Sequence, residues 1–358
     1  MLYCPDCGKT YKEFRYACDC GSILLWQPDD PVWKPQGEGL WRYGSMFPVK
    51  QRTTLGEGNT PLIKAADFPG YDMYYKFEGD NPTGSFKDRG TAVVISHALQ
   101  LKSKRVATAS TGNMGASVAA YAAHANIKAR VFVPYDAIPS KLSQIIAYGA
   151  EVRKVNGSYQ DCVKEIWKDV DKGAYLAGTG LNPYYIEGEK TIGYEIYEQL
   201  KGVPDKIVVP MGTGGVITSI FKAFTELKGI GVTKRVPQMI GVQPVGCDPI
   251  YEAWSHGTEH IIPARRAHSI ASAILVKTPF NGKTALRAIR ESKGFCVRVT
   301  DKQIIHAVKA LGNEGVFAEA ASATTLAAVK KELGPSDETV VLAVTGHGLK
   351  QPELALKK

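Results

Sequence analysis

The chain has no run of about 18 uncharged apolar residues, so no segment reads as a membrane-spanning helix. Its first residues, Met-Leu-Tyr-Cys-Pro-Asp-Cys, lack the basic and then apolar layout of a secretory signal, and a cytoplasmic location is expected. Long basic blocks are missing as well. The formal net charge is +9, but the lysines and arginines are scattered, which argues against nucleic acid as a partner. An anionic substrate and cofactor account for a mild positive excess equally well. No internal repeat or low-complexity tract stands out. Two phosphate-binding fingerprints also fail. Gly212-Thr-Gly-Gly-Val-Ile217 has isoleucine where a dinucleotide turn needs its third glycine, and no Gly-Lys-Ser/Thr follows that turn as a mononucleotide loop requires.

What is present is an ordinary globular composition. The 358 residues are 44% apolar and 22% charged, which suits a soluble protein of two or three domains. The chain is organised around Glu78-Gly-Asp-Asn-Pro-Thr-Gly-Ser-Phe-Lys-Asp-Arg-Gly90. The apolar run Met73–Phe77 reads as a strand leading in, and Asp88–Leu101 as a helix leading out. Thr83 and Ser85 can cap the exposed N–H groups of that helix. Lys87 stands at its mouth, where the helix dipole disfavours a positive charge, and an amine that gives up its charge can form a Schiff base. Two further strands run through glycine-bearing turns into helices. One is Val106–Ala109 with Ser110-Thr-Gly-Asn-Met-Gly-Ala-Ser117; the other is Ile207–Pro210 with Met-Gly212-Thr-Gly-Gly215-Val. Strand, glycine-rich turn and helix aim backbone N–H groups at an anion. Three such turns, one carrying a lysine, point to a phosphorylated cofactor and an amine that bonds to it.

These stretches, together with Thr345-Gly-His-Gly-Leu-Lys350, resemble threonine synthase, over about Leu55 to Pro352. That family uses pyridoxal 5'-phosphate (PLP) and has the tryptophan-synthase-β-like fold, type II among PLP enzymes. The resemblance implies an α/β protein of two doubly wound domains with PLP between them, plus a small zinc-ribbon-like N-terminal extension. It implies a lyase that breaks a carbon–oxygen bond in a phosphorylated amino acid, and homodimers are common in the fold. Lys87 matches the family lysine that bonds the cofactor and later moves protons beside Cα. Phe86 is either a face for the cofactor ring or core. Asn113 matches an asparagine that donates to the cofactor's phenolate oxygen, and it can equally cap the Ala-rich helix behind it. Ser110, Thr111 and Gly112 would then hold the substrate α-carboxylate. Gly212, Thr213, Gly214, Gly215 and Val216 read as the cup for the cofactor phosphate. Thr345 falls at the end of a buried strand, where its hydroxyl would face the pyridine nitrogen. Unlike a carboxylate, a hydroxyl need not keep that nitrogen protonated, which suits elimination and replacement. His347 reads as a turn histidine on the surface.

From Asp88 onward strands and helices alternate, implying parallel strands with right-handed crossovers. Strands are expected at 105–109, 129–133, 151–155, 206–210, 239–243 and 339–345. Helices are expected at 114–125, 139–148, 158–170, 187–200, 216–228, 281–292, 301–313 and 320–333. The expected division is 1–50 for a cysteine ribbon and a proline- and tryptophan-rich arm, 51–87 with 187–358 for a large PLP-binding domain, and 88–186 for a small α/β domain.

Seven cysteines in a cytosolic chain do not suggest disulfides. Cys162, Cys247 and Cys296 read as small buried side chains. Cys4, Cys7, Cys18 and Cys20 form two knuckles ten residues apart, the arrangement of a structural zinc site or of a reduced cluster without metal. The pattern is similar to the ribbon that precedes the catalytic part in archaeal-type threonine synthases. A zinc-ribbon nucleic-acid protein would need a basic aromatic surface, which the flanking sequence does not offer.

The chain departs from the family at its substrate site. Asn182-Pro-Tyr-Tyr185-Ile-Glu-Gly188 carries Tyr185 where the family has an arginine for the substrate phosphate, and tyrosine cannot replace a bidentate guanidinium. Thr213 and Val216 stand in place of asparagines, and Ala320 in place of a proline. The expected reaction is O-phospho-L-homoserine and water to L-threonine and phosphate. Tyr185 keeps open a replacement on O-phospho-L-serine, as in a cysteate or cysteine synthase, or an amino-acid deamination.

Overall fold

The computed structural model describes residues 1–66, 70, 72–178 and 180–356. They pack as two units, Met1–Gly58 with Asn81–Glu189, and Asn59–Asp80 with Lys190–Lys358.

The first unit holds, among the described residues, a parallel sheet in the order Glu151–Val155, Lys128–Pro134, Arg105–Ala109, Tyr175–Leu176. Helix Asn113–His124 packs on it with Ala116, Ala119, Val131, Val133 and Ile145 in one cluster. Alanine adds no side-chain entropy cost and keeps that helix thin, so it lies close to the strands. Helix Tyr159–Val170 covers the opposite side through Cys162 and Ile166. A small antiparallel sheet, Thr10–Tyr11, Leu2–Tyr3 and Leu25–Trp26, carries the four N-terminal cysteines. It is fastened to the rest of the unit by aromatic contacts. Phe14 lies 4.5 Å from the His97 ring and 5.1 Å from Tyr184, and Tyr16 lies 5.8 Å from Trp167.

The expected domain limits differ from this packing. Residues 1–58 belong with the small α/β body, because the amides of Arg52 and Thr53 donate to Ser96 Oγ, and the Tyr121 hydroxyl donates to Glu57 Oε2 at 2.6 Å. Residues 81–87 also stay there. The expected crossing at Lys87 therefore lies at Asp80, where the strand Asp72–Phe77 ends.

The second unit holds a six-stranded sheet among the described residues. Its order is Phe295–Val299, Gln238–Pro244, Lys206–Pro210, Thr339–Val344, Asp72–Phe77, Leu62–Lys64, parallel except for the last strand. The central strands Lys206–Pro210 and Thr339–Val344 are near-continuous apolar runs, as strands covered on both faces must be. Helix Ala320–Glu332 lies against the core of this sheet. Lys76 is fully buried and donates to Thr60 O at 2.7 Å, Glu195 Oε2 at 2.7 Å and Gln199 Oε1 at 2.9 Å. A buried ammonium survives because every donor is met.

Most expected elements appear within a residue or two. Helix 139–148 is instead a 3-10 turn, Pro139–Leu142, and a short helix, Ser143–Ala147. Helix 187–200 is two pieces, Tyr185–Glu189 and Thr191–Leu200. Strands Leu62–Lys64 and Phe295–Val299 had no counterpart in the sequence reading. Both are edge strands; the first is only three residues long and partly exposed, and the second is interrupted by Arg298.

Candidate active site

Lys87 is the first residue of helix Lys87–Gln100. Neither Thr83 nor Ser85 caps that helix as expected. Instead the acid in the first turn reaches backward: Asp88 Oδ2 accepts from the Thr83 amide and Oδ1 from the Thr83 hydroxyl, both at 2.7 Å. Ser85 Oγ is buried without a hydrogen-bond partner. The loop is thus stapled to the helix, and the Lys87 side chain is 14% exposed. Its Nζ lies 4.0 Å from the centre of the Phe86 ring and 5.5 Å from that of Tyr185. Phe86 itself is buried.

Tyr185 opens helix Tyr185–Glu189, which lies along helix Lys87–Gln100. Two glycines allow that approach. A Cβ on Gly90 would stand 2.5 Å from the Tyr185 ring, and one on Gly188 would stand 2.0 Å from the Arg89 carbonyl. Tyr185 donates its hydroxyl to Lys87 O at 2.8 Å, and burial pushes that hydroxyl's pKa well above its ordinary value. At the other end of the short helix, Glu189 Oε1 accepts from Lys87 Nζ at 3.1 Å, with Glu189 wholly buried. Sequence reasoning missed Glu189. Only its place four residues after Tyr185, one helical turn on, signalled it.

Asn113 begins helix Asn113–His124. Ser117 Oγ donates to Thr91 Oγ1 at 2.8 Å, each residue one turn into its helix, so Lys87 and Asn113 stand at the same end of the helix pair. In the turn before Asn113, Ser110 Oγ accepts from the Gly112 amide at 3.1 Å, and a Cβ on Gly112 would meet nothing within 4 Å. Ser110, Thr111 and Asn113 are half-buried and Gly112 is exposed. This is an open helix N-terminus with hydroxyl and amide donors, fit for a carboxylate.

In the second unit the strand Lys206–Pro210 turns through Met211–Gly214 into helix Gly215–Gly229. Gly214 has φ +88°, and a Cβ there would stand 2.7 Å from Asn281 O. A Cβ on Gly212 would stand 3.1 Å from Ile274 Cα. The turn is held by the Asn281 amide donating to Thr213 O at 2.8 Å. A glycine cradle pressed against a second loop and leading into a helix N-terminus turns backbone N–H groups toward the helix mouth, a geometry suited to an anion. Val216 follows as the second residue of the helix. Thr345 ends the strand Thr339–Val344, nearly buried, with Oγ1 3.0 Å from Ser322 Oγ. Ser322 also accepts from the Gly346 amide at 3.0 Å and so fixes the turn; the sequence reading passed it over. His347 is half-buried between Phe77 and Phe317, each 5.7 Å away, not the surface turn expected.

Residues 53–346 match the family model for pyridoxal-phosphate dependent enzymes. The threonine synthase of Methanocaldococcus jannaschii is 40% identical, across 99% of this chain and 94% of that one. That of Methanosarcina acetivorans is 39% identical, across 99% and 93%. The chain belongs to the threonine synthase family of PLP-dependent enzymes. Among solved structures, threonine deaminase isoform 2 from Solanum lycopersicum superposes with a TM-score of 0.73 at 23% identity, over 92% of this chain and 98% of that one. Maize serine racemase gives 0.72 at 24%, over 82% and 90%. These two likenesses carry the fold, that of type II PLP enzymes.

The residues fit the family's cofactor: an amine on an aromatic wall, an open helix N-terminus, a glycine cradle and a buried hydroxyl at a strand end. The four N-terminal thiols also converge. Cys4 and Cys20 Sγ are 3.6 Å apart, Cys7 and Cys18 Sγ 3.5 Å, and all four lie within 4.8 Å of one another. The Tyr11 hydroxyl, 3.1 Å from Cys18 Sγ, holds that thiol down to about 6.

Proposed function

We propose that the chain is a threonine synthase, converting O-phospho-L-homoserine and water to L-threonine and phosphate. The full-length likeness to threonine synthases carries this reading. When bound, PLP supplies the electron sink that lets bonds at the substrate's Cα, Cβ and Cγ be broken. Lys87 would be the amine that bonds the cofactor; once free, it would take the proton from Cα and then one from Cβ, phosphate would leave from Cγ, a proton would be returned to Cγ, and water would add its hydroxyl at Cβ as a proton is returned to Cα. Phe86 walls one side of the Lys87 amine. Asn113 would hold the cofactor ring oxygen, while Ser110, Thr111 and Gly112 would orient the substrate carboxylate. Gly212, Thr213, Gly214, Gly215 and Val216 would hold the cofactor phosphate, and Thr345, steadied by Ser322, would serve the ring nitrogen. Cys4, Cys7, Cys18 and Cys20 hold a structural zinc. The small phosphorylated amino acid is the partner; a cytoplasmic homodimer goes with this reading. Among the described residues no helix is long and apolar enough to cross a membrane.

One observation favours the second reading, replacement on O-phospho-L-serine or deamination. Tyr185, where the family places its phosphate-binding arginine, is wholly buried with its hydroxyl spent on Lys87 O. It offers no cation to a substrate phosphate. The test is phosphate release by the PLP-loaded protein from O-phosphohomoserine and O-phosphoserine side by side, with products identified by mass. Threonine from the first supports the proposal. Phosphate from the second alone, or from neither, sinks it.

A further inference from the structure

We propose that Glu189 is the counter-charge of Lys87, a positioning residue that stabilises the protonated form of that amine in the same site. The inference rests on the reading of Lys87 as the cofactor lysine. The Glu189 carboxylate is wholly buried, and its Oε1 lies 3.1 Å from Lys87 Nζ. The nitrogen is walled by the Phe86 ring at 4.0 Å and the Tyr185 ring at 5.5 Å. Aromatic walls keep water away and strengthen whatever charge interaction remains. A buried carboxylate set against apolar surface is retained only beside a cation or hydrogen-bond donors. The position is also built, not incidental. Gly188 lets the backbone touch the Arg89 carbonyl, and the Tyr185 hydroxyl clamps the same short helix to Lys87 O, one turn away.

The chemistry needs such a partner. When the neutral amine takes the substrate's Cα proton, an N–H bond forms, the Cα–H bond breaks, and its electron pair stays on carbon. The ammonium so formed meets the Glu189 carboxylate rather than an apolar wall, and is stabilised there. Returning that proton to substrate carbon restores the neutral amine, with the carboxylate unchanged throughout. Other charges nearby are placed differently. Asp88 and Arg89 follow Lys87 on its helix, and Asp88 is bonded to Thr83. Glu187 bears on Tyr184 from the helix of Glu189. Tyr121 and Glu57 stand toward Asp88 and Arg89. Tyr185 keeps its proton.

The test is a pH titration, without substrate, of the visible absorbance band of wild-type, Glu189→Gln and Glu189→Asp holoenzymes. An opposite charge this close moves a proton affinity by about 1–3 pH units. Glu189→Gln is therefore expected to lower the midpoint of the band by about one unit or more, with kcat down about tenfold and KM little changed. Glu189→Asp keeps the charge and should fall between. A Glu189→Gln protein with normal cofactor content and an unmoved midpoint overturns the proposal; if that variant does not fold, a Glu189→Asp protein with midpoint and kcat both as in wild type does so. A wild-type protein that shows no visible band with PLP, or a Lys87→Ala protein that keeps it, would instead overturn the parent reading.

Discussion

Tyr185 and Lys87 are locked together through the backbone: the tyrosine hydroxyl donates to the lysine's own carbonyl at 2.8 Å, and the ring lies against Gly90. The bond ties Tyr185 to the start of the Lys87–Gln100 helix and immobilises the tyrosine ring against that helix.

Removing that hydroxyl should cost stability without touching substrate phosphate. Lys87 O still accepts from Thr91 Oγ1 at 2.9 Å, so Tyr185→Phe leaves no orphaned carbonyl. The loss should be roughly 1 kcal/mol, read as a lower denaturation midpoint, with KM for the phosphorylated substrate within about twofold of wild type. A large rise in KM would mean that the hydroxyl reaches substrate after all. Gly90→Ala should be more damaging, on the order of 1–3 kcal/mol, because its methyl would sit inside the Tyr185 ring.

The phosphate seat makes a backbone prediction. Gly214 is at φ +88°, which costs an L-residue about 1–2 kcal/mol, and its Cβ would strike the Asn281 carbonyl. Gly214→Ala should therefore loosen the turn and raise the dissociation constant for PLP, measured by absorbance after gel filtration, by tenfold or so. Retention equal to wild type would place the cofactor phosphate elsewhere.

The thiol cluster predicts about one zinc per chain by mass spectrometry. A tetrahedron with Zn–S of about 2.3 Å has sulfurs roughly 3.8 Å apart, close to the observed 3.6 and 3.5 Å. Tyr184 packs on the core formed by Leu2, Cys4, Cys18 and Leu24, directly beside Tyr185 in sequence. Stripping the metal with a chelator should thus lower the melting temperature, and adding zinc back should restore it. Full stability without metal would make the cluster a set of reduced thiols.

How legible was this in the chain? The three strand–turn–helix units were readable because glycine, asparagine and threonine fall between apolar runs, and parallel strands buried on both faces announce themselves by composition. That Lys87 stands at the mouth of a helix was readable from its motif. The burial of Glu189 was not, because a glutamate in a helix-forming stretch looks like a solvated face, and its own helix is brought close, through Gly188 and the facing Gly90, to a helix about a hundred residues earlier. The cap at Lys87 was misassigned for a related reason. Thr83 favours an N-cap role locally, in which its hydroxyl oxygen accepts from a helix N–H, but here its own amide and hydroxyl both donate to Asp88 in the first turn. The place of the arm in the first unit was hidden because hydrogen bonds to Ser96, not composition, tie it there.

His97 gives a pH dependence with a definite sign. Its Nδ1 lies 2.8 Å from Tyr175 Oη, and Asn182 Nδ2 donates to that same oxygen at 2.8 Å, so the tyrosine proton points at His97, which accepts it in the neutral form. Phe14, Tyr175 and Tyr184 surround the ring. Burial pushes the His97 pKa from 6.5 down to about 4. Between those values the unfolded chain binds a proton that the folded chain refuses, so stability falls as pH falls. The contribution is fully present above about pH 6.5 and is lost progressively toward pH 4, by up to about 3 kcal/mol. Urea unfolding at pH 7 and pH 5 should show it, and His97→Asn, which cannot titrate, should flatten the slope over that interval while lowering stability at both. An unchanged slope in His97→Asn would assign the acid sensitivity to other groups.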